Sequence, residues 1–186
     1  LIIRTRSYRR FDQTYTISIE DLRELINLAR FTSSARNAQA LKYLLINTKD
    51  SCMKIFSSLA WAGYLTDWDG PIEGERPTAY IVVLKDTTLA QNILCDDGLA
   101  MQSILLGATE KGIGGCIIGS INKNNIRKTF SIPETLEILY VLALGKPIEK
   151  IVLTDIIDND CKYWRDNNQV HYVPKRSLDD LIISDT

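Results

Sequence analysis

The chain has 186 residues, 45% of them hydrophobic and 24% charged, with a net charge of −1. Such a composition fits one globular domain, residues 1–186, able to bury a substantial core, and carries no signature of disorder. The near-zero charge gives no electrostatic case for nucleic acid or an anionic membrane, and no apolar run is long enough to cross a bilayer.

The chain opens on Leu1 rather than Met, which reads as a trimmed N-terminus. The basic start from Arg4 to Arg10 is not followed by a signal-type apolar segment. Arginines at positions 4, 6, 9 and 10, interleaved with hydroxyls, suit a phosphate or carboxylate; the plainer reading is a solvated basic arm. Ser18 and Asp21 form a capping-box pattern before Ile19, Leu22, Leu25, Ile26 and Ala29, an amphipathic helix reaching about Phe31. The small polar loop Thr32 to Gln39 reads either as a loop with a helix cap or as donors arranged for the edge of a polar heterocycle. Leu41 to Asn47 is a strand, and Cys52, Ile55, Phe56 and Leu59 mark a second amphipathic helix. Trp61 to Pro77 is an aromatic-rich irregular excursion of the kind that packs in a long loop, lines a pocket or acts as a lid. Thr78 to Leu84 is a central strand.

The chain is organised around Leu105 to Ser120. Leu94, Gly98, Met101, Leu105 and Ala108 recur at helical spacing, and Ala100 and Ile104 make the other side apolar, so this helix is expected in the middle of the domain. Gly112 ends it after Lys111. Gly114 and Gly115 lead into a short apolar run closed by Gly119 and Ser120, either an ordinary helix–turn–strand or a place where backbone lies against something flat. Asn122 to Phe130 is a short helix with Ile126 and Phe130 inward, stopped by Pro133, and Leu136 to Leu144 is a strand covered on both faces. From Ile156 to Val173 the chain turns polar, and this tail is expected to wander over a surface, its own or that of a partner subunit.

Cys52, Cys95, Cys116 and Cys161 never form a C-x-x-C, which excludes the usual zinc spacing and points to free thiols in a reducing cytoplasm. His171 is the single histidine, so a hydrolase triad or a His-based metal site would rest on it alone. No catalytic side chain and no metal ligand is assigned; the chemistry of an enzyme built from this chain is expected from a bound cofactor.

Five segments in order resemble the FMN-dependent nitroreductase family over most of the chain. They are Arg6-Ser7-Tyr8-Arg9-Arg10-Phe11; Ser33-Ser34-Ala35-Arg36-Asn37-Ala38-Gln39; the central helix with Gly112 to Gly119; Ile132-Pro133 with the strand ending Ala143-Leu144-Gly145-Lys146-Pro147; and Pro174-Lys175-Arg176. The resemblance implies an α+β fold, a mostly antiparallel sheet flanked by helices, with a C-terminal extension wrapping the partner of an obligate homodimer. It implies that Arg6, Ser7 and Arg9 reach the FMN phosphate, ribityl chain and pyrimidine edge. Ser33, Ser34, Ala35 and Asn37 would come from the other subunit, Ile118, Gly119 and Ser120 would lie along the isoalloxazine, and Lys175 and Arg176 would return to the phosphate. Three positions depart from the pattern: Thr5 stands where many members carry arginine, and Ser33 and Ala40 stand where proline is usual.

Gly112 to Gly119 fails the G-x-G-x-x-G spacing, so NADH or NADPH is expected only as a transient reductant. The implied activity is transfer of two electrons from NAD(P)H to a nitroaromatic or quinone acceptor with ping-pong kinetics. Reductive dehalogenation, flavin fragmentation, or flavin binding and redox sensing without turnover are the alternatives.

Overall fold

Residues 79–84 offer no polar face, so a sheet built on them needs cover on both sides. The structure, a computed structural model, describes residues 1–184 and meets that demand with helices on each face. In chain order the elements are β1 (Phe11–Asp12), α1 (Ile19–Arg30), β2 (Leu41–Ile46), α2 (Lys49–Phe56) and β3 (Ala79–Asp86). Then come α3 (Asp96–Glu110), β4 (Gly114–Ile118), α4 (Lys123–Phe130), β5 (Leu136–Pro147), β6 (Ile151–Asp155), β7 (Trp164–Arg165), β8 (His171–Lys175) and α5 (Leu178–Leu181).

The main sheet is antiparallel throughout. β3 lies between β2 and β5, while β5 also pairs with β4 and, at its C-terminal end, with β1. Alternation along β3 divides the core in two. Ala79, Ile81 and Val83 pack with Leu22, Leu25, Ala100 and Ile104 of α1 and α3. Tyr80, Val82 and Leu84 pack on the opposite face with Ile55, Trp61 and Ile126. The α+β architecture expected from the sequence is thus present. Its local signals hold as well: Ser18 and Asp21 complete a reciprocal capping box, and Gly112 turns left-handed at φ 73° to release the chain into β4.

Three expectations change. α3 is not buried all round: Ala100, Met101, Ile104, Leu105 and Ala108 face the core, whereas Leu99 is 43% exposed and Leu94, preceding the helix, is 71% exposed. A helix laid on a sheet has one covered side, and the apolar residues on the other side remain for another surface. The tail does not wander either. β8 pairs parallel with β6 and antiparallel with β7, which makes a second, three-stranded sheet on its own chain. The second helix is also shorter than expected, closing at Phe56 and leaving Leu59 beyond it.

Candidate functional site

β4 runs out at Ile118, and the chain leaves the sheet through Gly119 and Ser120. Ser120 accepts a hydrogen bond from the backbone N–H of Ala60 at 3.0 Å, and Leu59 bridges Ile121. These contacts bring the start of the aromatic excursion against the end of β4. On the N-terminal side Tyr8 donates its backbone N–H to the Gly115 carbonyl at 3.0 Å and Ser7 bridges Gly115, which lays the basic segment beside β4. The result is a cleft of about 200 Å³ lined by Arg9, Trp61, Cys116, Ile118, Gly119 and Ser120. The Trp61 indole N–H is buried there without a hydrogen-bond partner among the described residues. A Cβ on Gly119 would meet Tyr140 at an ordinary 3.6 Å, and its φ is not left-handed. Packing within the chain therefore leaves room at position 119. Burial pushes the Cys116 thiol up in pKa, so it sits there as a neutral apolar group.

Behind the cleft lies a buried charged cluster absent from the sequence reading. Glu149, with a fully buried side chain, accepts the Arg9 backbone N–H at 2.8 Å and two bonds from the Arg165 guanidinium at 3.1 and 2.5 Å. Arg165 also stacks on Trp68, 4.2 Å from the ring centroid, and Arg9 lies 4.9 Å from that of Tyr163. Tyr163 in turn packs on Tyr64 at 5.0 Å and on His171 at 5.2 Å. The tail thus buttresses both the basic segment and the excursion. His171 is completely buried, and neither ring nitrogen makes a hydrogen bond; Glu149 is 3.5 Å from Nδ1. Burial pushes its pKa down to about 4, Arg9 and Arg165 act in the same direction, and Glu149 opposes them. The ring is neutral at pH 7.

The arginines divide by partner. Arg10 is committed to Glu75 by two bonds of 2.7 and 2.5 Å and Arg165 to Glu149. Arg6 donates only to backbone carbonyls, those of Thr5 at 2.6 Å and Ile2 at 2.9 Å, and Arg9 donates to that of Ser7 at 3.1 Å. Arg176 reaches only the side-chain amide oxygen of Asn159 at 3.0 Å, and Lys175 is exposed at the end of β8. Arg6, Arg9, Lys175 and Arg176 therefore have no carboxylate partner among the described residues, as a set of cations kept for an external anion would have none.

The loop at 33–37 stands apart. Ser34 donates its hydroxyl to Asp96 at 3.0 Å, Ala35 donates its N–H to the same carboxylate at 2.8 Å, and Gln39 donates its N–H back to Ser34 at 2.9 Å. Ser33 and Ser34 line a separate cavity of about 260 Å³ with Ile26, Arg30, Tyr43 and Asp96, while Asn37 is exposed with φ 55°. Of the residues singled out from sequence, the structure brings Arg9, Ile118, Gly119 and Ser120 to one cleft, sets Ser7 beside β4, and leaves Ser33, Ser34, Ala35 and Asn37 elsewhere on the chain. Asp96 and Glu149 were missed. The available signal for Asp96 was an acid opening an otherwise apolar helix; Glu149, beside Lys150 after a Gly-Lys-Pro turn, gave none.

A model of the nitroreductase family matches residues 74–146. A Bacillus subtilis (strain 168) protein named "Putative NAD(P)H nitroreductase YodC" is 25% identical over 173 residues, covering 77% of this chain and 86% of that protein. Among solved structures, a nitroreductase family protein from Clostridium novyi NT aligns with a TM-score of 0.65 at 24% identity, over 78% of this chain and 84% of its own. An FMN-dependent nitroreductase from Clostridium difficile R20291 aligns with a TM-score of 0.63 at 19% identity, over 88% of this chain and 95% of its own. With the antiparallel sheet, the glycine turn into β4 and the cleft at its end, these likenesses agree with the motif order read from the sequence: the chain is similar to nitroreductase family proteins and shares their fold.

Proposed function

We propose that this chain is an FMN-dependent oxidoreductase that passes two electrons from NADH or NADPH to a small flat acceptor of nitroaromatic or quinone type. It would work as a single-domain protomer of a cytoplasmic homodimer with ping-pong kinetics. One observation carries the reading: a cleft at the end of β4, with Trp61 and Gly119 in its lining, is also lined by Arg9, whose guanidinium has no carboxylate partner among the described residues. That donor set fits an anionic, flat, partly apolar group. The names of the relatives, NAD(P)H nitroreductase and FMN-dependent nitroreductase, support the same choice.

FMN, when bound, supplies the two-electron chemistry that these side chains lack. The chain's own residues bind and orient. Arg6, Ser7 and Arg9 would hold the phosphate, ribityl and pyrimidine groups, with Lys175 and Arg176 adding charge for the phosphate. Ile118, Gly119 and Ser120 would form the surface along the ring. Ser33, Ser34, Ala35 and Asn37, remote from this cleft on their own chain, would serve the cleft of a second copy. Cations near a group that gains negative charge on reduction favour the reduced state. His171 takes no part: it is neutral and sealed behind Arg9.

Purified protein is expected to be yellow with a flavin band, and to consume NADH or NADPH anaerobically with menadione or nitrofurazone, giving parallel double-reciprocal lines. Arg6→Ala or Arg176→Ala should weaken FMN binding by about 1.5–3 kcal/mol each, while riboflavin, lacking the phosphate, should be nearly indifferent to Arg176→Ala. A protein that stays colourless after incubation with FMN, or that consumes neither nicotinamide with either acceptor, would overturn the reading.

A further inference from the structure

A second cavity, of about 260 Å³, opens between α2, the start of β3 and the loop after β1. Its apolar wall is Cys52, Met53, Phe56 and Pro77, and its polar wall is Gln13, Thr16, Asn47, Lys49, Arg76, Thr78 and Tyr80. Arg76 Nε, the Thr78 hydroxyl and the Tyr80 hydroxyl are all buried without a hydrogen-bond partner among the described residues. Three such atoms in one cavity wall are out of keeping with a satisfied interior, where buried polar groups are almost always paired. Tyr80 is completely buried at the cavity floor. Desolvation holds its phenol well above the ordinary pKa, so it remains a donor at any physiological pH. The Arg76 guanidinium is stacked on Phe56, 4.4 Å from the ring centroid, and no carboxylate pairs with it among the described residues. The lining holds two cations, Lys49 and Arg76, and no acidic residue.

We infer that this cavity is a binding site for a small aromatic carboxylate, distinct from the cleft at Gly119. The carboxylate would take the charge of Arg76 and Lys49 and accept from Thr78 and Tyr80, while its ring would lie against Phe56 and Met53. The volume admits a single-ring acid. The two cavities share a wall, because Phe56 packs on Trp61 with ring centroids 5.9 Å apart and Trp61 lines the cleft. The inference does not depend on the flavin reading, since no residue lining this cavity lines the cleft.

The chain has two methionines, Met53 in this cavity and Met101 in the core under α3, which gives a direct readout. Protein labelled with ¹³C at the methionine methyls, with and without saturating FMN, is titrated with phenylacetate and with the neutral phenylacetamide. Phenylacetate is expected to shift Met53 saturably while Met101 stays in place, equally with FMN present, and phenylacetamide should bind at least about tenfold more weakly. Arg76→Gln should weaken phenylacetate about tenfold or more, and Tyr80→Phe by a few fold. An unshifted Met101 signal verifies that each variant is folded; Lys49→Gln, at a more exposed position, should also weaken phenylacetate if Arg76→Gln does not fold. No shift at Met53, equal responses to acid and amide, or displacement of phenylacetate by FMN would overturn the inference.

Discussion

Glu149 is the residue on which three segments converge. It accepts from the Arg9 backbone, pairs with Arg165 and stands beside His171, all with its own side chain fully buried. A buried ion pair adds little net stability, but removing one partner leaves the other charged and desolvated. Arg165 has a side chain only 7% exposed, so Glu149→Gln is expected to cost about 3–5 kcal/mol in urea unfolding, with Glu149→Gln/Arg165→Met recovering a good part. If the double variant is as unstable as the single one, the cost comes from packing and not from the stranded guanidinium. His171 adds a pH dependence. Its imidazole takes a proton near pH 6.5 in the unfolded chain but only at about 4 in the fold. Between those values the unfolded state binds more protons, so this contribution falls as pH drops and is intact above pH 7. By pH 5 the wild type should lose about 2 kcal/mol that His171→Leu does not lose. Unfolding midpoints measured at pH 7.5 and pH 5 test this, and parallel declines in both proteins would refute it.

At the scale of elements, ends were easier to read than surroundings. The Ser18 and Asp21 capping box and the turn at Gly112 depend on groups within a few residues of one another, so their chemistry is written in adjacent letters. The end of α4 was legible only through Pro133, and the structure adds that Ser131 takes the left-handed conformation at φ 51°, ψ 42° as C-cap. Serine pays a steric cost there that glycine does not. Ser131→Gly should therefore stabilise the protein by about 0.5–1 kcal/mol, with no change in the slope of urea unfolding. A loss of stability would mean that the serine side chain contributes more than its backbone strain costs. What could not be read at this scale was which side of α3 is covered. Leu94, Leu99, Met101 and Leu105 look alike in sequence, and only the placement of α1 and the sheet separates the last two from the first two.

The whole molecule leaves apolar surface unpartnered. Leu94 and Leu99 are exposed at α3, and Leu178, Leu181 and Ile183 are exposed at the C-terminal end. Ser34 and Ala35 are held by Asp96, and the cavity lined by Ser34 and Asp96 includes none of the residues lining the Gly119 cleft. A site that needs both sets requires two copies. Sedimentation of the flavin-loaded protein is therefore expected to show two chains per particle, and one chain carrying full flavin would sink the shared-site account. The tail does not enter this argument, since β6, β7 and β8 form a sheet on their own chain.

The amino-acid sequence by itself determined the positions of the main helices and strands and the caps at Ser18 and Gly112, because these rest on periodicity and on contacts between near neighbours; the antiparallel sheet was legible only as what the resemblance in motif order implies. The resemblance also marked Arg9, Ile118, Gly119 and Ser120; the last three are consecutive, and Arg9 joins them because Ser7 and Tyr8 bond to Gly115 of β4. Only the tertiary structure decided that Glu149 sits under Arg9, 140 residues away in the chain, that Asp96 holds the 34–35 loop, and that Arg76, Thr78 and Tyr80 share a wall with unmet hydrogen bonds. The physical reason is common to all three. Whether a polar side chain is solvated, paired or stranded depends on what long-range packing places beside it, and a charged residue carries the same letter in each case.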